Sequence, residues 1–420
     1  MSRSTSWLVP LALVLGLAIA AAACGDKYYT TNNYYYHGGG ADDDTAPTDD
    51  DVIPSDDDTM PNDDDTTPAD DDTTPADDDT TPTDDDATPG DDDTTPADDD
   101  TTPGDDDTTP SDDDTTFSWS PMTNGPTALF LNGVWGTSHS DVFAVGIEYG
   151  EYDKMILHYD GSAWSNMTTG TTDVVDLHGV WGSSVNDVFA VGDDWKTNAG
   201  AILHYDGSSW SAMTAGAADA TLLGVWGSSA TDVFAVGLGL TKYAQVILHY
   251  DGSSWTPMTG GATGRLFGIW GSSASDVFAV GYDDDSNSGL ILHYDGFSWS
   301  TMTSVAETYL TGVWGSSASD VFVVGNKADL TLGLIMHFDG FSWSTMTSVA
   351  ETYFRGVWGS STSDVFAVGV DGIIFHYDGF SWSAMDSGTI EWLYGVWGSS
   401  ASDVFAVGDS GTILHYGPAE

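Results

Sequence analysis

The fold is decided by a stretch that reads Gly-Val-Trp-Gly-Ser-Ser-Ala-Thr-Asp-Val-Phe-Ala-Val-Gly over residues 224–237. Seven near-copies of it follow one another along the chain, with their tryptophans at Trp135, Trp181, Trp226, Trp270, Trp314, Trp358 and Trp397. The steps between them are 46, 45, 44, 44, 44 and 39 residues. Repetition at this period is typical of supersecondary units that bury their hydrophobic faces against their neighbours. A residue present in all seven copies is therefore expected to serve folding.

Each copy divides into four short runs rich in Val, Ile, Phe, Tyr and Trp and bounded by Gly, Ser and Asp, which is the pattern of β-strands. In the first copy the runs span residues 131–135, 142–145, 156–159 and 164–168. The second run, Val-Phe-Ala-Val, is apolar without alternation, as expected of a strand covered on both faces. Four strands in each of seven copies predict an all-β fold, a seven-bladed β-propeller.

The two ends of the repeat region predict that this ring is closed. The seventh copy stops at Tyr416 and lacks the fourth run that the other six copies have. A run of the missing type stands before the first copy, at residues 117–123. A closed ring explains this arrangement, because the N-terminal strand then completes the last blade and removes an open sheet edge.

The N-terminus predicts an exported protein. Residues 1–23 have a charged start, an apolar run and small residues before the only cysteine, Cys24, which is the pattern of a secretory signal. Small residues directly before a cysteine resemble a bacterial lipobox, which implies that Cys24 is lipidated. An ordinary signal peptide with an incidental cysteine is the alternative. In the lipoprotein sorting rule of enteric bacteria, Gly25 in place of Asp implies the outer membrane or cell surface, with the lipid anchor as the only membrane contact.

The next segments predict a tether. Residues 24–41 are a polar connector, and residues 42–116 hold eleven Asp triplets that recur every seven residues. Such a composition cannot form a core, so a disordered and extended linker is predicted, with weak Ca²⁺ binding as the alternative.

The composition of the ring, residues 117–420, limits its partners. It carries 32 acidic and 6 basic residues, a net charge of −26. This charge argues against nucleic acid as a partner, because Lys and Arg are needed to neutralise phosphates. A single cysteine excludes an intrachain disulfide. We expect the protein to be a monomer.

The repeat resembles those of secreted bacterial Trp-rich propellers and, more distantly, the Asp-box propellers of sialidases and of photosystem II assembly factors. The resemblance covers residues 117–416 and includes the turn Asp-Gly-Ser-Ser-Trp at 251–255, which is one residue shorter than an Asp-box. Sialidases clamp the substrate carboxylate with three arginines, whereas this ring contains only Arg265 and Arg355. Sialidase activity is therefore excluded on residue count.

Histidine and aspartate recur once per copy and would suggest a metal site if they could converge. Seven symmetric copies placed away from the axis cannot do so, and a structural role is expected for His158, His204, His249, His293, His337, His376 and His415. The same holds for the turn residues Asp141, Asp187, Asp232, Asp276, Asp320, Asp364 and Asp403. No nucleophile elbow, phosphate loop or zinc motif is present. We therefore expect no enzyme; a glycosidase or lyase with an acidic pair such as Asp193 and Asp284 is the alternative.

Function is expected where the copies differ. Connections from the second to the third strand and between copies vary, and in an antiparallel meander both lie on the same face. That face is predicted to expose the aromatic residues that the repeat does not require, namely Tyr149, Tyr152, Trp195, Tyr243, Tyr282, Tyr309, Tyr353 and Trp392. The residue before Gly-Val-Trp differs in every copy and is expected at the mouth of the central channel, as Asn132, His178, Leu223, Phe267, Thr311, Arg355 and Tyr394.

From these two sets we predict the ligand-binding residues Asn132, His178, Phe267, Thr311, Arg355, Tyr394, Trp195 and Trp392. The alternatives are that the variable position is simply unconstrained and that the loop residues fold down onto the rim. The predicted function is that of a surface-tethered binding or adhesion module for a glycan or a protein, with a periplasmic assembly scaffold as a further alternative.

One loop has the oxygen spacing of a calcium site. Asp283, Asp285 and Asn287 stand at alternate positions, although the following Gly comes one position late and Tyr294 stands where a bidentate Glu belongs. A plain acidic hairpin loop is the alternative, and no other cofactor is expected.

Overall fold

The computed structural model describes residues 116–122, 129–148, 154–169, 175–241 and 244–418. These residues form seven four-stranded antiparallel sheets, and the chain folds as the predicted seven-bladed β-propeller. The predicted signal peptide, the lipidation site Cys24 and the acidic tether lie outside the described residues. Nowhere in the described part of the chain is a helix long and apolar enough to span a bilayer.

The first strand is β1 (Phe117–Pro121). The next twelve strands form blades 1 to 3, each from four strands that are consecutive in sequence. Blade 1 contains β2 (Leu129–Ser138), β3 (Asp141–Glu148), β4 (Lys154–Tyr159) and β5 (Trp164–Asn166). Blade 2 contains β6 (Asp176–Ser184), β7 (Asp187–Asp194), β8 (Ala199–Tyr205) and β9 (Trp210–Met213). Blade 3 contains β10 (Ala220–Ser229), β11 (Asp232–Gly239), β12 (Gln245–Tyr250) and β13 (Trp255–Pro257).

Three further blades follow in the same way. Blade 4 contains β14 (Arg265–Ser273), β15 (Asp276–Asp283), β16 (Ser288–Tyr294) and β17 (Trp299–Ala306). Blade 5 contains β18 (Thr308–Ser317), β19 (Asp320–Lys327), β20 (Leu332–Phe338) and β21 (Trp343–Ala350). Blade 6 contains β22 (Phe354–Ser361), β23 (Asp364–Gly369), β24 (Ile374–Tyr377) and β25 (Trp382–Met385).

Blade 7 is shared between the two ends of the ring. It contains β26 (Leu393–Ser400), β27 (Asp403–Gly408) and β28 (Ile413–Pro418), and β1 is its outer strand. In the antiparallel register Phe117 lies opposite Pro418 and Trp119 lies opposite Tyr416. The predicted closure by the N-terminal strand is therefore confirmed. Blades 6 and 7 have short second-to-third connections, which contain the one-turn 3₁₀ helices Val370–Gly372 and Asp409–Gly411.

The inner strands are longer than the apolar runs that predicted them. In blade 1 the first strand extends to residues 129–138 and the second to 141–148, because backbone pairing continues beyond the last apolar side chain. Consequently Tyr282, which we predicted on a variable connection, lies in the second strand of blade 4. The fourth strand of blade 1 is shorter than predicted and ends at Asn166.

Each second strand contributes to two hydrophobic cores, which explains its uninterrupted apolar sequence. Val142 and Ala144 of β3 belong to the core between blades 7 and 1, whereas Phe143 and Val145 belong to the core between blades 1 and 2. The corresponding phenylalanine is buried in all seven blades, as Phe143, Phe189, Phe234, Phe278, Phe322, Phe366 and Phe405. Stacked blades therefore cover both faces of every second strand, as the sequence predicted.

A circle of tryptophan–glycine contacts joins the blades. The ring of Trp397 in blade 7 lies so close to Gly136 of blade 1 that a Cβ there would stand 2.8 Å from it. The same contact joins Trp135 to Gly182, Trp181 to Gly227, Trp226 to Gly271, Trp270 to Gly315, Trp314 to Gly359 and Trp358 to Gly398. The Trp-Gly pair recurs in every copy because each tryptophan occupies the space that the next blade's glycine leaves.

A hydrogen-bonded network recurs once in each blade. In blade 1 the His158 Nε2 atom lies 2.7 Å from Asp141 Oδ1, and the Thr137 hydroxyl donates to Asp141 Oδ2 at 2.5 Å. Six equivalent His–Asp pairs have the same distance, namely His204–Asp187, His249–Asp232, His293–Asp276, His337–Asp320, His376–Asp364 and His415–Asp403. The structural role predicted for these histidines and aspartates is confirmed.

Candidate functional site on the variable face

The ring has two faces that differ in how their connections vary. We call the face with the first-to-second and third-to-fourth strand turns the uniform face. We call the opposite face, with the second-to-third connections and the links between blades, the variable face.

The seven variable residues before Gly-Val-Trp are bulge residues of the innermost strands. In blade 1, Leu131 pairs with Gly146 and Gly133 pairs with Val145, so Asn132 is the extra residue of a β-bulge. The other six blades have the same shift in register at this point. A bulge residue has no partner in the ladder and its side chain is turned away from the regular alternation. The repeat therefore places no pairing requirement on this position.

The innermost strands approach one another closely beside these bulges. A Cβ at Gly133 would lie 2.9 Å from the carbonyl oxygen of His178 in the next blade. A Cβ at Gly356 would lie 2.8 Å from the carbonyl oxygen of Tyr394. The first glycine of Gly-Val-Trp is thus required by the close approach of two backbones, and the variable side chains border the inner junctions of neighbouring blades.

Two of the predicted ligand-binding residues link adjacent blades. The Asn132 side-chain amide donates to the carbonyl oxygen of Leu177 at 2.8 Å, and the Thr311 hydroxyl donates to that of Phe354 at 2.8 Å. Both acceptors are the residue directly before the next blade's bulge. These bonds give Asn132 and Thr311 a structural function, so their predicted role in ligand binding stays a prediction.

His178 lies between two carboxylates at the junction of blades 1 and 2. Its Nε2 atom is 3.1 Å from Asp193 Oδ1, and the Asn132 amide is 3.3 Å from Asp176 Oδ1. Burial raises the pKa of Asp176 to about 6, with the charge of His178 opposing the shift. Burial lowers the pKa of His178, but the charges of Asp176 and Asp193 outweigh it, and that pKa is raised.

At the junction of blades 6 and 7 the structure brings three predicted site residues together. The guanidinium carbon of Arg355 lies 5.8 Å from the ring centroid of Trp392 and 5.8 Å from that of Tyr394. Glu391 and Asp409 complete this group, which we call the blade 6–7 cluster. A cation over two aromatic faces is attracted by their quadrupoles and holds the three side chains in one arrangement.

Two members of the blade 6–7 cluster, Glu391 and Asp409, were missed by sequence reasoning, and Asp409 is the more informative. Burial raises its pKa to about 6, against a hydrogen bond from Tyr394, and the charge of Glu391 adds to the rise. Its Oδ1 atom is buried and has no hydrogen-bond partner among the described residues. A sequence signal existed, because the matching position of blade 6 is the buried Val370. A carboxylate in the place of a buried valine indicates a special use.

At the junction of blades 4 and 5 the predicted exposed tyrosines are buried. Tyr282 and Tyr309 are 5% and 8% exposed, and their rings stack at a centroid distance of 3.9 Å. The Arg265 guanidinium lies 5.4 Å from the Tyr282 ring centroid, and its Nε atom donates to Asp284 at 3.0 Å. The expectation that these aromatics form an open binding surface is wrong, because the long strands of blades 4 and 5 carry them into the blade junction.

The remaining predicted binding residues lie in different blades and do not form one site. Trp195 is 46% exposed in the turn between β7 and β8, whereas Phe267 is 8% exposed and packed at the inner end of blade 4. Tyr149, Tyr152 and Tyr243 lie outside the described residues. The acidic pair of the enzyme alternative is divided between blades, since Asp193 contacts His178 and Asp284 contacts Arg265.

The proposed calcium loop uses its oxygens for its own turn. Asp283 accepts hydrogen bonds from the Thr263 hydroxyl at 3.0 Å, the Asp285 N–H at 3.1 Å and the Ser286 hydroxyl at 2.7 Å. The side-chain oxygen of Asn287 accepts from the Tyr282 hydroxyl. A bound Ca²⁺ would have to replace several of these bonds, and calcium binding by Asp283, Asp285 and Asn287 stays a prediction.

The uniform face differs between two groups of blades. In the third-to-fourth turn of blade 1, Asp160 Oδ1 accepts the N–H groups of Ser162 and Ala163, both at 2.9 Å, and Gly161 has a φ of +88°. The central residue of this turn is serine in blades 1 to 3, as Ser162, Ser208 and Ser253. In blades 4 to 6 it is phenylalanine, as Phe297, Phe341 and Phe380, whose exposed fractions are 93%, 95% and 94%.

The fold and the faces just described define a β-propeller, and comparison with solved structures agrees. A structure of YCF48 bound to D1 peptide is similar over 72% of this chain and 95% of that chain, with a TM-score of 0.55 and 15% sequence identity. YCF48 from Cyanidioschyzon merolae is similar over 72% and 99%, with a TM-score of 0.54 and 14% identity.

The WD40 β-propeller domain of Doa1 is similar over 73% of this chain and 98% of its own, with a TM-score of 0.56 and 11% identity. At these identities the likeness shows the fold alone. No model of a known protein family matches the sequence, and the comparison with curated proteins finds no similar sequence.

Proposed function

We propose that this protein is a non-enzymatic binding module that holds a protein segment against the variable face of its propeller. The observation that carries the proposal is the blade 6–7 cluster, where Arg355 lies over two aromatic rings beside the carboxyl group of Asp409. Protein-binding surfaces concentrate their energy in Trp, Tyr and Arg side chains.

Charge favours a protein over a glycan as the ligand. The ring has a net charge of −26, so it attracts a partner with basic side chains over long range. Peptides supply such side chains, whereas sugars are mostly neutral or acidic. A propeller of similar fold carries a bound peptide in the YCF48 complex with D1 peptide, which supports a peptide or protein ligand here.

The N-terminus supports a proposal about where binding takes place. We propose that the chain is exported, lipidated at Cys24 and displayed at the outer membrane or cell surface as an adhesion module. Labelling cells with an alkyne fatty acid should mark the wild-type protein and not a Cys24→Ala variant. Protease added to intact cells should remove the propeller. Protection from protease together with inner-membrane fractionation would favour the periplasmic assembly scaffold.

The binding proposal is tested with the full chain and a displayed peptide library, with a glycan array in parallel. Enriched peptides should bind the wild type and lose at least about tenfold in affinity to the variant R355A/Y394A, which corresponds to about 1.4 kcal/mol. Folding is measured separately by the thermal unfolding midpoint, which should stay close to that of the wild type because both residues lie outside the hydrophobic cores.

A matched control lies on the opposite face. The variant F297S/F341S/F380S restores the serine of blades 1 to 3 and should leave peptide affinity unchanged. Loss of binding in this control with retention in R355A/Y394A would move the site to the uniform face. Saturable binding on the glycan array alone would assign the ligand to the glycan class instead.

A further inference from the structure

The junction that closes the ring contains a residue that breaks the repeat. In the first-to-second turn of blade 1 the third residue after Trp-Gly is His139. The other six copies have small or aliphatic residues there, namely Val185, Ala230, Ala274, Ala318, Thr362 and Ala401. The departure occurs only in blade 1, whose neighbour across the closure is blade 7.

His139 is directed at the repeated His–Asp pair of blade 7. Its Nδ1 atom lies 2.6 Å from Asp403 Oδ1, and His415 Nε2 lies 2.7 Å from the same oxygen. The Ser399 hydroxyl donates to the other oxygen, Asp403 Oδ2, at 2.5 Å. Two imidazole nitrogens and one carboxylate oxygen thus lie within 4.8 Å of one another.

The chemistry of these three groups is that of a transition-metal site. Zinc binds imidazole nitrogen at about 2.0–2.1 Å and carboxylate oxygen at about 2.0–2.2 Å, and both ligand types are present here. Nitrogen ligands disfavour Ca²⁺ and Mg²⁺, which prefer oxygen. Ser399 supplies the outer hydrogen bond that orients a ligating carboxylate. The His139 side chain is 53% exposed, which gives the ion a path from solvent and leaves a position for water.

We propose that His139, Asp403 and His415 bind one divalent transition-metal ion, Zn²⁺ in the first instance, across the closing junction of the propeller. The ion replaces the hydrogen bonds to Asp403, and each imidazole then carries its proton on the other ring nitrogen. Because His139 belongs to blade 1 and the other two ligands belong to blade 7, the ion cross-links the first and last blades.

The chain offers matched positive and negative variants. His139→Ala leaves all seven His–Asp pairs intact and removes only the third ligand. Ala401→His places a histidine next to the Asp364–His376 pair of blade 6, in the arrangement that His139 has with blade 7. The first variant should abolish the site and the second should create another one.

The experiment is titration of the metal-free full chain with Zn²⁺, followed by calorimetry, and with Co²⁺, followed by visible absorption. The wild type should show one high-affinity equivalent, above any weak binding by the acidic segment, and a higher thermal midpoint with Zn²⁺. His139→Ala should lose this equivalent and Ala401→His should gain a second. Unchanged stoichiometry in both variants, or no saturable Zn²⁺ binding by the wild type, overturns the proposal. A lower thermal midpoint for His139→Ala without any Zn²⁺ response in the wild type would show that His139 only stabilises the closing junction through its hydrogen bond to Asp403.

Discussion

The two faces of the ring are built from the same strands and have diverged in different ways. On the uniform face the Asp-Gly turn between the third and fourth strands is retained in blades 1 to 6, and its exposed central residue changes from Ser162 in blade 1 to Phe297 in blade 4. On the variable face the bulge residue differs in every blade, and Asn132 and Arg355 each contact the neighbouring blade. A substitution at an exposed turn needs no compensation, whereas one at a half-buried bulge must be matched by its surroundings. We therefore expect the bulge residues of the variable face to have different functions in different blades.

The largest predicted effect comes from opening the ring, on whose closure both faces depend. Deleting residues 117–123 should remove β1 and Trp119, which is 7% exposed and lies edge-on to Phe366 at 6.1 Å. Loss of a buried tryptophan alone costs about 3–5 kcal/mol, and the exposed edge of β28 should promote aggregation. Thermal melting and gel filtration check this. Ser118→Ala, in the same strand, is the control, and an unchanged melting curve for the deletion would contradict closure by β1.

A smaller effect is expected when the tryptophan circle is overpacked. In Gly136→Ala the new Cβ meets the Trp397 ring at 2.8 Å and the Asp141 carbonyl oxygen at 2.5 Å. Overpacking of this kind costs about 1–3 kcal/mol. Gly239→Ala is the matched control, because its nearest contact is an ordinary 3.4 Å. Equal free energies of unfolding in urea for the two variants would show that the Trp–Gly contact does not hold the blades in place.

The raised pKa of Asp409, on the variable face, predicts that the free energy of unfolding depends on pH. Its folded pKa of about 6 exceeds the value of about 3.9 expected in the unfolded chain. Its contribution to stability is thus complete below about pH 4 and is lost as the pH rises through about 6. Asp409→Asn should remove that loss, on the order of 1 kcal/mol after allowance for solvent screening.

Urea unfolding at pH 4.5 and pH 7.5 measures the Asp409 effect as the difference between wild type and variant. Asp371→Asn removes an exposed carboxylate from the matching turn of blade 6 and serves as the control. The same pH difference for Asp409→Asn and the wild type would mean that burial does not perturb Asp409.

The smallest effect is expected on the uniform face. The variant F297S/F341S/F380S removes three phenylalanine rings that are more than nine-tenths exposed. Each change should alter the free energy of unfolding by less than about 0.5 kcal/mol, because no core contact is lost. A clear drop in the thermal midpoint would contradict this expectation, because it would show that the three rings make contacts that stabilise the fold.

Much of the architecture was predictable from the repeat. The blade count, the split seventh blade and the structural role of His158 and its equivalents follow from residues that recur at a fixed period. The bulge at Asn132 was not predicted, because a one-residue shift in register leaves no signal in residue type. The sequence did show that this position varies, which is the consequence of the bulge.

The arrangement of the candidate site was only partly predictable. Arg355 and Tyr394 were identified by their variability, and their contact across blades 6 and 7 agrees with the ring order. The burial of Tyr282 and Tyr309 was missed, since strand extension beyond the apolar run depends on backbone pairing. The meeting of His139 with Asp403 joins residues 264 apart in sequence and could be expected only once closure was established.

The strand that closes the ring also determines how the molecule responds to force. β1 enters the sheet at Phe117 on the uniform face and ends at Pro121 towards the variable face. A pull between the chain before Phe117 and a partner held on the variable face acts along this strand. The hydrogen bonds to β28 run perpendicular to it, so they are loaded in shear and must break together. The five residues of β1 are therefore pulled in the direction in which their pairing with β28 best resists separation.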